Sequence, residues 1–352
     1  MKQIALASAT AAVLTVAVAL AAFSLGPASG ARASEDCPSA SGQEIVLTVP
    51  MPRTPGFLLL RQKTLWVAVP SARPPAPGSV VHVDPVSGRI QGTFSLPVNP
   101  YRLAYGFGSL WVTGEVNRYN RRYQGAVLRV DPRSGRILRV IRGPRVFGAA
   151  LATTADGVWV GGGDVAPEGQ MDNTVARWAF KIDPRRNEVV RTVHLAPTTI
   201  IDLVGDGRFL WATGWGAVVK LSATGRLLFQ QRFDGSGWAM AVAPAAVWVA
   251  QPFFGNRRDL RTQKPARRLL RVATSGTNRV TVVELTTQPA DVSAAAGATW
   301  VGANGGLVRL DATEMPPTPT KVAADLRPNR IEAFPGGAWV DELRSNQLSK
   351  IC

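Results

Sequence analysis

Seven of the ten tryptophans in this 352-residue chain stand in one local context. They are "TLWVAV" (Trp66), "SLWVTG" (Trp111), "GVWVGG" (Trp159), "FLWATG" (Trp211), "AVWVAQ" (Trp248), "ATWVGA" (Trp300) and "GAWVDE" (Trp339), at successive spacings of 45, 48, 52, 37, 52 and 39 residues. A repeat of this period is one supersecondary unit, which buries its apolar face only by stacking on its neighbours. An apolar stretch ending in a Gly- or Pro-containing turn precedes most copies, as in "RLAYGFGS" and "LATTADG". After a variable loop comes an alternating strand, "SVVHVDP", "AVLRVDP", "AFKIDP", "AVVKLSATG", "RLLRVATSG" or "GLVRLDA", then a tight turn and a further strand such as "ILRVIR" or "VTVVEL".

Each unit therefore reads as four short strands with turn residues between them. The Asp-Pro-x-Ser-Gly segments have turn chemistry: Pro presets φ and Gly accepts a positive one. Seven such units predict an all-β fold, a seven-bladed β-propeller with four-stranded blades. A β-sandwich does not account for one four-strand unit recurring at this period.

The two cysteines follow from this architecture. The seventh unit supplies "RIEAFPGG", "AWVDEL" and "NQLSKIC" and stops one strand short. The missing strand stands at the other end of the chain, "QEIVLTVP" at residues 43–50. If it joins the C-terminal blade and closes the ring, Cys37 and Cys352, 315 positions apart, meet where other blades have a hairpin turn. A disulfide is the expectation, with two free thiols as the alternative.

The segment before Cys37 has a basic start at Lys2, an apolar run near residues 11–25 and Ala31-Arg32-Ala33, a small-residue cleavage pattern. Residues 1–33 are expected to be a secretion signal peptide and residues 34–352 a single propeller domain; an uncleaved membrane anchor is the alternative. The apolar run is short for a bilayer, and no later segment is apolar enough to span it. The expected location is extracytoplasmic, which permits the disulfide. Without residues 1–33 the chain carries 38 basic and 24 acidic side chains, a net +14. Such a charge favours anionic surfaces and polymers. Arginine supplies 33 of the 40 basic residues in an Ala-, Gly- and Pro-rich chain, so base composition of the gene is an alternative source.

Loops between the second and third strands, and the links between blades, share one face of a propeller. Three of these loops are long: 114–126, 161–179 and 251–268. Loops beyond about 12 residues inside a compact domain tend to be functional. The first offers Tyr119 and Tyr123 among Arg118, Arg121 and Arg122; the last offers Phe253 and Phe254 with Arg257, Arg258, Arg261, Arg267 and Arg268. Stacking surfaces beside guanidinium groups suit anionic polymers and nucleic acid. Solvated loops in an Arg-rich chain are the plainer alternative. The middle loop is acidic instead, with Asp164, Glu168 and Asp172.

The residues nine before each Trp should ring the channel mouth: Phe57, Arg102, Ala150, Asp202, Ala239, Asp291 and Arg330, with Glu332 two beyond the last. Arg102 and Arg330 join the candidate ligand-binding set. Asp202, Asp291 and Glu332 are an alternative oxygen-ligand set for a divalent cation such as Mg²⁺ or Ca²⁺, although no Ca²⁺-loop pattern accompanies them. No nucleophile-elbow, zinc-protease or phosphate-loop motif is present. The only histidines, His82 and His194, are expected well apart, as packing or surface residues.

The recurring "LWV" followed by "V-x-R-V-D-P-x-S-G-R" resembles the YVTN-type and streptogramin-lyase-like propeller families over nearly the whole chain after residue 33. The lyase branch implies Mg²⁺-assisted ring opening of a cyclic depsipeptide by histidine and acidic residues near the channel. The YVTN branch implies exported binding proteins, some associated with nucleic acid or cell surfaces. The residues agree with the second: a secreted, monomeric, non-enzymatic binding scaffold with no resident cofactor. Its expected partner is an anionic cell-wall polymer, a nucleic acid or an envelope protein, and the alternative is a metal-assisted lyase or hydrolase at the channel mouth.

Overall fold

A computed structural model describes residues 37, 44–72, 76–117, 124–142, 150–165, 174–195, 199–255, 263–276, 278–311, 317–323, 326–342 and 345–352. Their regular structure is 28 antiparallel strands with no helix. They form five four-stranded sheets and one of eight. The large sheet is two four-stranded meanders, residues 202–236 and 239–284, joined by the single pairing of Ser236 with Phe253. Each sequence repeat is thus one meander. In unit two, for example, Asn99–Gly106, Ser109–Asn117, Gln124–Val130 and Ile137–Arg142 lie side by side in chain order.

The last sheet departs from chain order as the sequence predicts. Ile45–Pro50 pairs antiparallel with Gln347–Ile351, setting Val49 opposite Leu348, and so supplies the fourth strand to Pro328–Phe334 and Gly337–Glu342. Cys37 and Cys352 are disulfide-bonded, their Cα atoms 5.4 Å apart. Most of this N-terminal strand is exposed, and Val49 is its one fully buried side chain.

The seven repeat tryptophans are at most 4% exposed. Each lies on the second strand of its unit and fills the space against the following one. Trp111 packs with Leu151, Val158, Val160 and Ile182 of unit three; Trp339 packs with Leu58, Leu65 and Val81 of unit one. Burying an indole removes roughly 200 Å² from water, on the order of 5 kcal/mol as an upper figure. That is why this residue recurs where two sheets meet. The first strands of successive units pack on one another in chain order, and Pro328–Phe334 packs in turn on Phe57–Arg61.

Opposite each tryptophan, the third strand carries a basic residue. The cross-strand partners are His82, Arg129, Lys181, Lys220, Arg271, Arg309 and Lys350. His82 stacks on Trp66, ring centroids 5.5 Å apart. Arg129, Lys181, Lys220 and Arg271 lie 5.0–6.0 Å from the facing indole centroid, within reach of a cation–π attraction. Three of them also reach the next unit. Arg129 Nη1 donates to Pro184 O at 2.5 Å, Lys181 Nζ to Ala223 O at 2.8 Å and Lys220 Nζ to Thr274 O at 3.2 Å. One side chain thus covers its own tryptophan and ties down the neighbour's turn.

Those turns have the chemistry read from the sequence. In "DPVSG", Asp84 Oδ1 accepts from the N–H groups of Val86 and Ser87, while Gly88 at φ 69° donates to Asp84 O. Asp131 and Gly135 repeat the arrangement. In unit three Asn187 takes the glycine's place at φ 59°, a conformation asparagine tolerates better than most residues.

Candidate functional site

The first strands enclose a central cavity of about 400 Å³. Phe57, Arg102, Asp202, Asp291, Arg330 and Glu332 all line it, as their spacing before the tryptophans predicts. Ala150 and Ala239 of the same set are buried and do not line it. Arg102, Asp202, Asp291 and Arg330 pair with Thr113, Thr213, Gly302 and Asp341 on the second strands, two residues past the tryptophan. From there the second strand runs on toward its hairpin with the third. The charged mouth and the long loops therefore belong to the same end of the sheets.

The acids at this mouth are committed to the backbone of the following unit. Asp202 Oδ2 accepts from Met240 N–H at 2.8 Å, Asp291 Oδ2 from Ile331 N–H at 2.9 Å and Glu332 Oε1 from Leu60 N–H at 3.0 Å. Ser293 Oγ accepts from Ala333 N–H at 3.0 Å in the same manner. The rule is positional. A residue nine before its tryptophan accepts from the N–H eight before the next one, and a residue seven before accepts from the N–H six before. Each bond satisfies an inner-strand donor that would otherwise be buried without a partner.

The cations are placed differently. Arg330 Nη1 stands 3.6 Å from Asp291 Oδ1. Arg102, only 9% exposed, lays its guanidinium over the Phe57 ring at 5.0 Å, and its Nε has no hydrogen-bond partner. Burial, and then the like charge of Arg330, push Arg102 down to about 10, with Asp202 and Asp291 opposing. It stays protonated at neutral pH. Burial raises Asp202 and Asp291 against the pull of the two arginines and the N–H bonds. Burial also raises Glu332 to about 7, opposed by Arg61, whose Nη1 is 3.8 Å away.

These residues do not fit the divalent-cation reading. Asp202, Asp291 and Glu332 sit in three different units, each with an oxygen turned onto a neighbour's N–H. Among the described residues no three of His, Cys, Asp and Glu gather as a metal-binding group. The histidines are apart, His82 against Trp66 and Phe94 in unit one and His194 against Trp178 in unit three.

Besides Arg61, which lines the cavity, the sequence reading missed the charged residue Asp341. It is fully buried in unit seven, accepts from Arg330 N–H and, at 3.1 Å, from Asn329 Nδ2, and burial raises it to about 7. The signal was present. Two residues past the tryptophan the other units carry Ala68, Thr113, Gly161, Thr213, Ala250 and Gly302, all small and uncharged.

Of the loop residues, Arg118, Tyr119, Arg121, Arg122, Tyr123, Arg257, Arg258 and Arg261 lie outside the described residues, as do the side chain of Asp164 and all of Glu168 and Asp172. Phe253 and Phe254 end the second strand of unit five, both partly exposed. Arg268, on the third strand, lays its guanidinium over Phe254 at 4.7 Å and pairs through Nε with Glu284 Oε1 at 2.6 Å.

No protein-family model and no curated protein matches the chain. Solved structures do. Hydrazine synthase of Kuenenia stuttgartiensis is 14% identical at a TM-score of 0.65, over 89% of this chain and 99% of that one. The Pan2 WD40 domain of Neurospora crassa is 11% identical at 0.65, over 88% and 94%. A structure of U3-55K is 10% identical at 0.66, over 88% and 99%. At such identities the likeness is one of fold alone, and the chain shares the β-propeller-type fold of these structures.

Proposed function

We propose that this chain is an exported binding scaffold rather than an enzyme: a signal peptide at residues 1–33, then one monomeric seven-bladed propeller at residues 34–352. Its ring is closed by the N-terminal strand and locked by the Cys37–Cys352 bridge. Its partner is an anionic polymer, a cell-wall polymer or a single-stranded nucleic acid, held at the loop end. The disulfide supports an extracytoplasmic location. The observation that carries the reading is the root of the 251–268 loop. Two part-exposed aromatic rings stand there beside an arginine whose guanidinium is already stacked on Phe254 and oriented by Glu284. A planar cation fixed beside π-faces is what backbone phosphates and stacked bases require.

The test is binding of a labelled single-stranded oligonucleotide, and of an anionic wall polymer, across a salt series. Each phosphate contact adds about 0.7 to the slope of log affinity on log salt for a single strand. Affinity should fall steeply with salt, and a Phe254→Ala, Arg268→Ala double variant should weaken binding while keeping the fold. Salt-independent binding, or none at low salt, overturns the reading.

A further inference from the structure

We propose that the mouth of the central cavity is a binding site for a small organic monocarboxylate bearing a hydrogen-bond donor, anchored by Arg102. The site is separate from the loop-end surface proposed above.

The starting point is the state of Arg102. A guanidinium has five N–H donors and is charged at any ordinary pH. Burying one without a partner is unfavourable, so proteins rarely do it except where the partner arrives from outside. Arg102 is 9% exposed and lines the cavity; its Nε meets no acceptor, and its guanidinium lies over the Phe57 ring, 5.0 Å from the centroid. Aromatic backing of this kind fixes the plane of the fork and leaves its edge free for an oxyanion. Every carboxylate on the same mouth is engaged elsewhere: Asp291 with Ile331 N–H and Arg330, Asp202 with Met240 N–H, Glu332 with Leu60 N–H.

The charges around it choose the class of anion. Two arginines, Arg102 and Arg330, and two aspartates, Asp202 and Asp291, influence one another across the mouth. A phosphate dianion brought to Arg102 meets the repulsion of both aspartates. A monocarboxylate carries one charge and offers two coplanar oxygens to the fork. Asp202 binds Met240 N–H through Oδ2, which leaves Oδ1 to accept from an ammonium or hydroxyl group of the same ligand. An α-amino or α-hydroxy acid has both groups at that spacing. The cavity, about 400 Å³, lies within the range of small-molecule sites.

The experiment is calorimetric titration of the oxidised protein with L-alanine, L-lactate, propionate and inorganic phosphate, repeated on Arg102→Gln, Arg102→Lys and Asp202→Asn. Saturable binding of alanine or lactate is expected, at least ten-fold tighter than of propionate or phosphate. It should be lost in Arg102→Gln and weakened at least ten-fold in Arg102→Lys, which keeps the charge without the fork. Asp202→Asn should narrow the gap to propionate. Thermal melting separates this from a structural role. Removing a buried cation whose Nε meets no acceptor should leave the free Arg102→Gln protein at least as heat-stable as the original. No binding across the panel, tighter binding of phosphate, unchanged binding in Arg102→Gln, or a lower melting temperature in both Arg102 variants overturns the proposal.

Discussion

Glu332 is the inner acid whose titration tests most directly what its bond to the next unit's N–H is worth. Its side chain is 16% exposed, accepts from Leu60 N–H at 3.0 Å and stands 3.8 Å from Arg61 Nη1, a group that is itself 59% exposed. Burial outweighs both partners and raises its pKa from 4.5 to about 7. Below about pH 4.5 the group is neutral whether the chain is folded or not, and it contributes no pH dependence. As pH rises from there toward 7 the unfolded chain releases the proton while the folded chain retains it, so stability falls. Above 7 the full difference applies: about 2.5 pKa units at about 1.4 kcal/mol each, on the order of 3 kcal/mol. Glu332→Gln keeps an oxygen for Leu60 N–H and removes the charge. Its loss of Arg61 matters little, because an exposed pair is worth about 1 kcal/mol or less. The variant should match the original protein near pH 4.5 and exceed it by roughly 1–3 kcal/mol at pH 8. Urea denaturation of both oxidised proteins at pH 4.5, 6 and 8 measures this, and taking the difference cancels every other titrating group. If the difference is flat with pH, or the variant is the less stable at pH 8, then Arg61 and the N–H fully offset the burial and the reasoning fails.

Three further outcomes are expected. Opening the Cys37–Cys352 bridge, by reduction or by replacing both residues with serine, should lower stability by up to ~6 kcal/mol on the chain-entropy account; an unchanged urea midpoint would mean that strand pairing alone holds the N-terminal strand. Lys181→Met removes a 2.6 Å contact with Asp156 Oδ2, a 2.8 Å bond to Ala223 O and a cation 5.6 Å from the Trp159 ring. That should cost about 2–4 kcal/mol in chemical denaturation; a loss under about 0.5 kcal/mol would show these contacts to be no better than their hydrated equivalents. Gly214→Ala should destabilise by about 3 kcal/mol or more, because a Cβ there would stand 1.3 Å from Thr199 O, and a variant that melts at the original temperature would refute that close approach.

How far the fold is legible in the sequence depends on which forces write it. The tryptophans, the alternating third strands and the Asp-Pro-x-Ser-Gly turns report local geometry and inter-sheet burial, and these recur in every unit because every unit meets its neighbour in the same way. They sufficed to place the N-terminal strand beside Gln347–Ile351 and the two cysteines together. The basic residue facing each tryptophan was also in plain view, in "VHV", "LRV", "FKI", "VKL", "LRV", "VRL" and "SKI". It went unread because a charge on a strand is ordinarily assigned to the solvent face. Long cationic side chains instead cover an apolar ring with their stems and keep a polar tip for a carbonyl.

That observation changes what the net charge of the chain means. Arg129, Lys181, Lys220, Arg271, Arg309 and Lys350 face tryptophans, and the first three bind carbonyls of the next unit. Six of the 40 basic residues therefore stand at packing positions opposite the tryptophans and need no ligand to explain them. The acids at the mouth, grouped in the sequence by their place before the tryptophans, are likewise each bonded through one oxygen to a backbone N–H of the following unit. At the mouth that leaves the arginines, Arg61, Arg102 and Arg330, to account for. Arg102 is the clearest of these, since it is buried, backed by Phe57 and bonded to nothing through Nε. A buried guanidinium with an N–H that meets no acceptor is where a ligand has the most to contribute. The sequence places Arg102 on the channel mouth by counting from Trp111, but only the structure separates it from Asp202, Asp291 and Glu332, whose oxygens hold neighbouring strands.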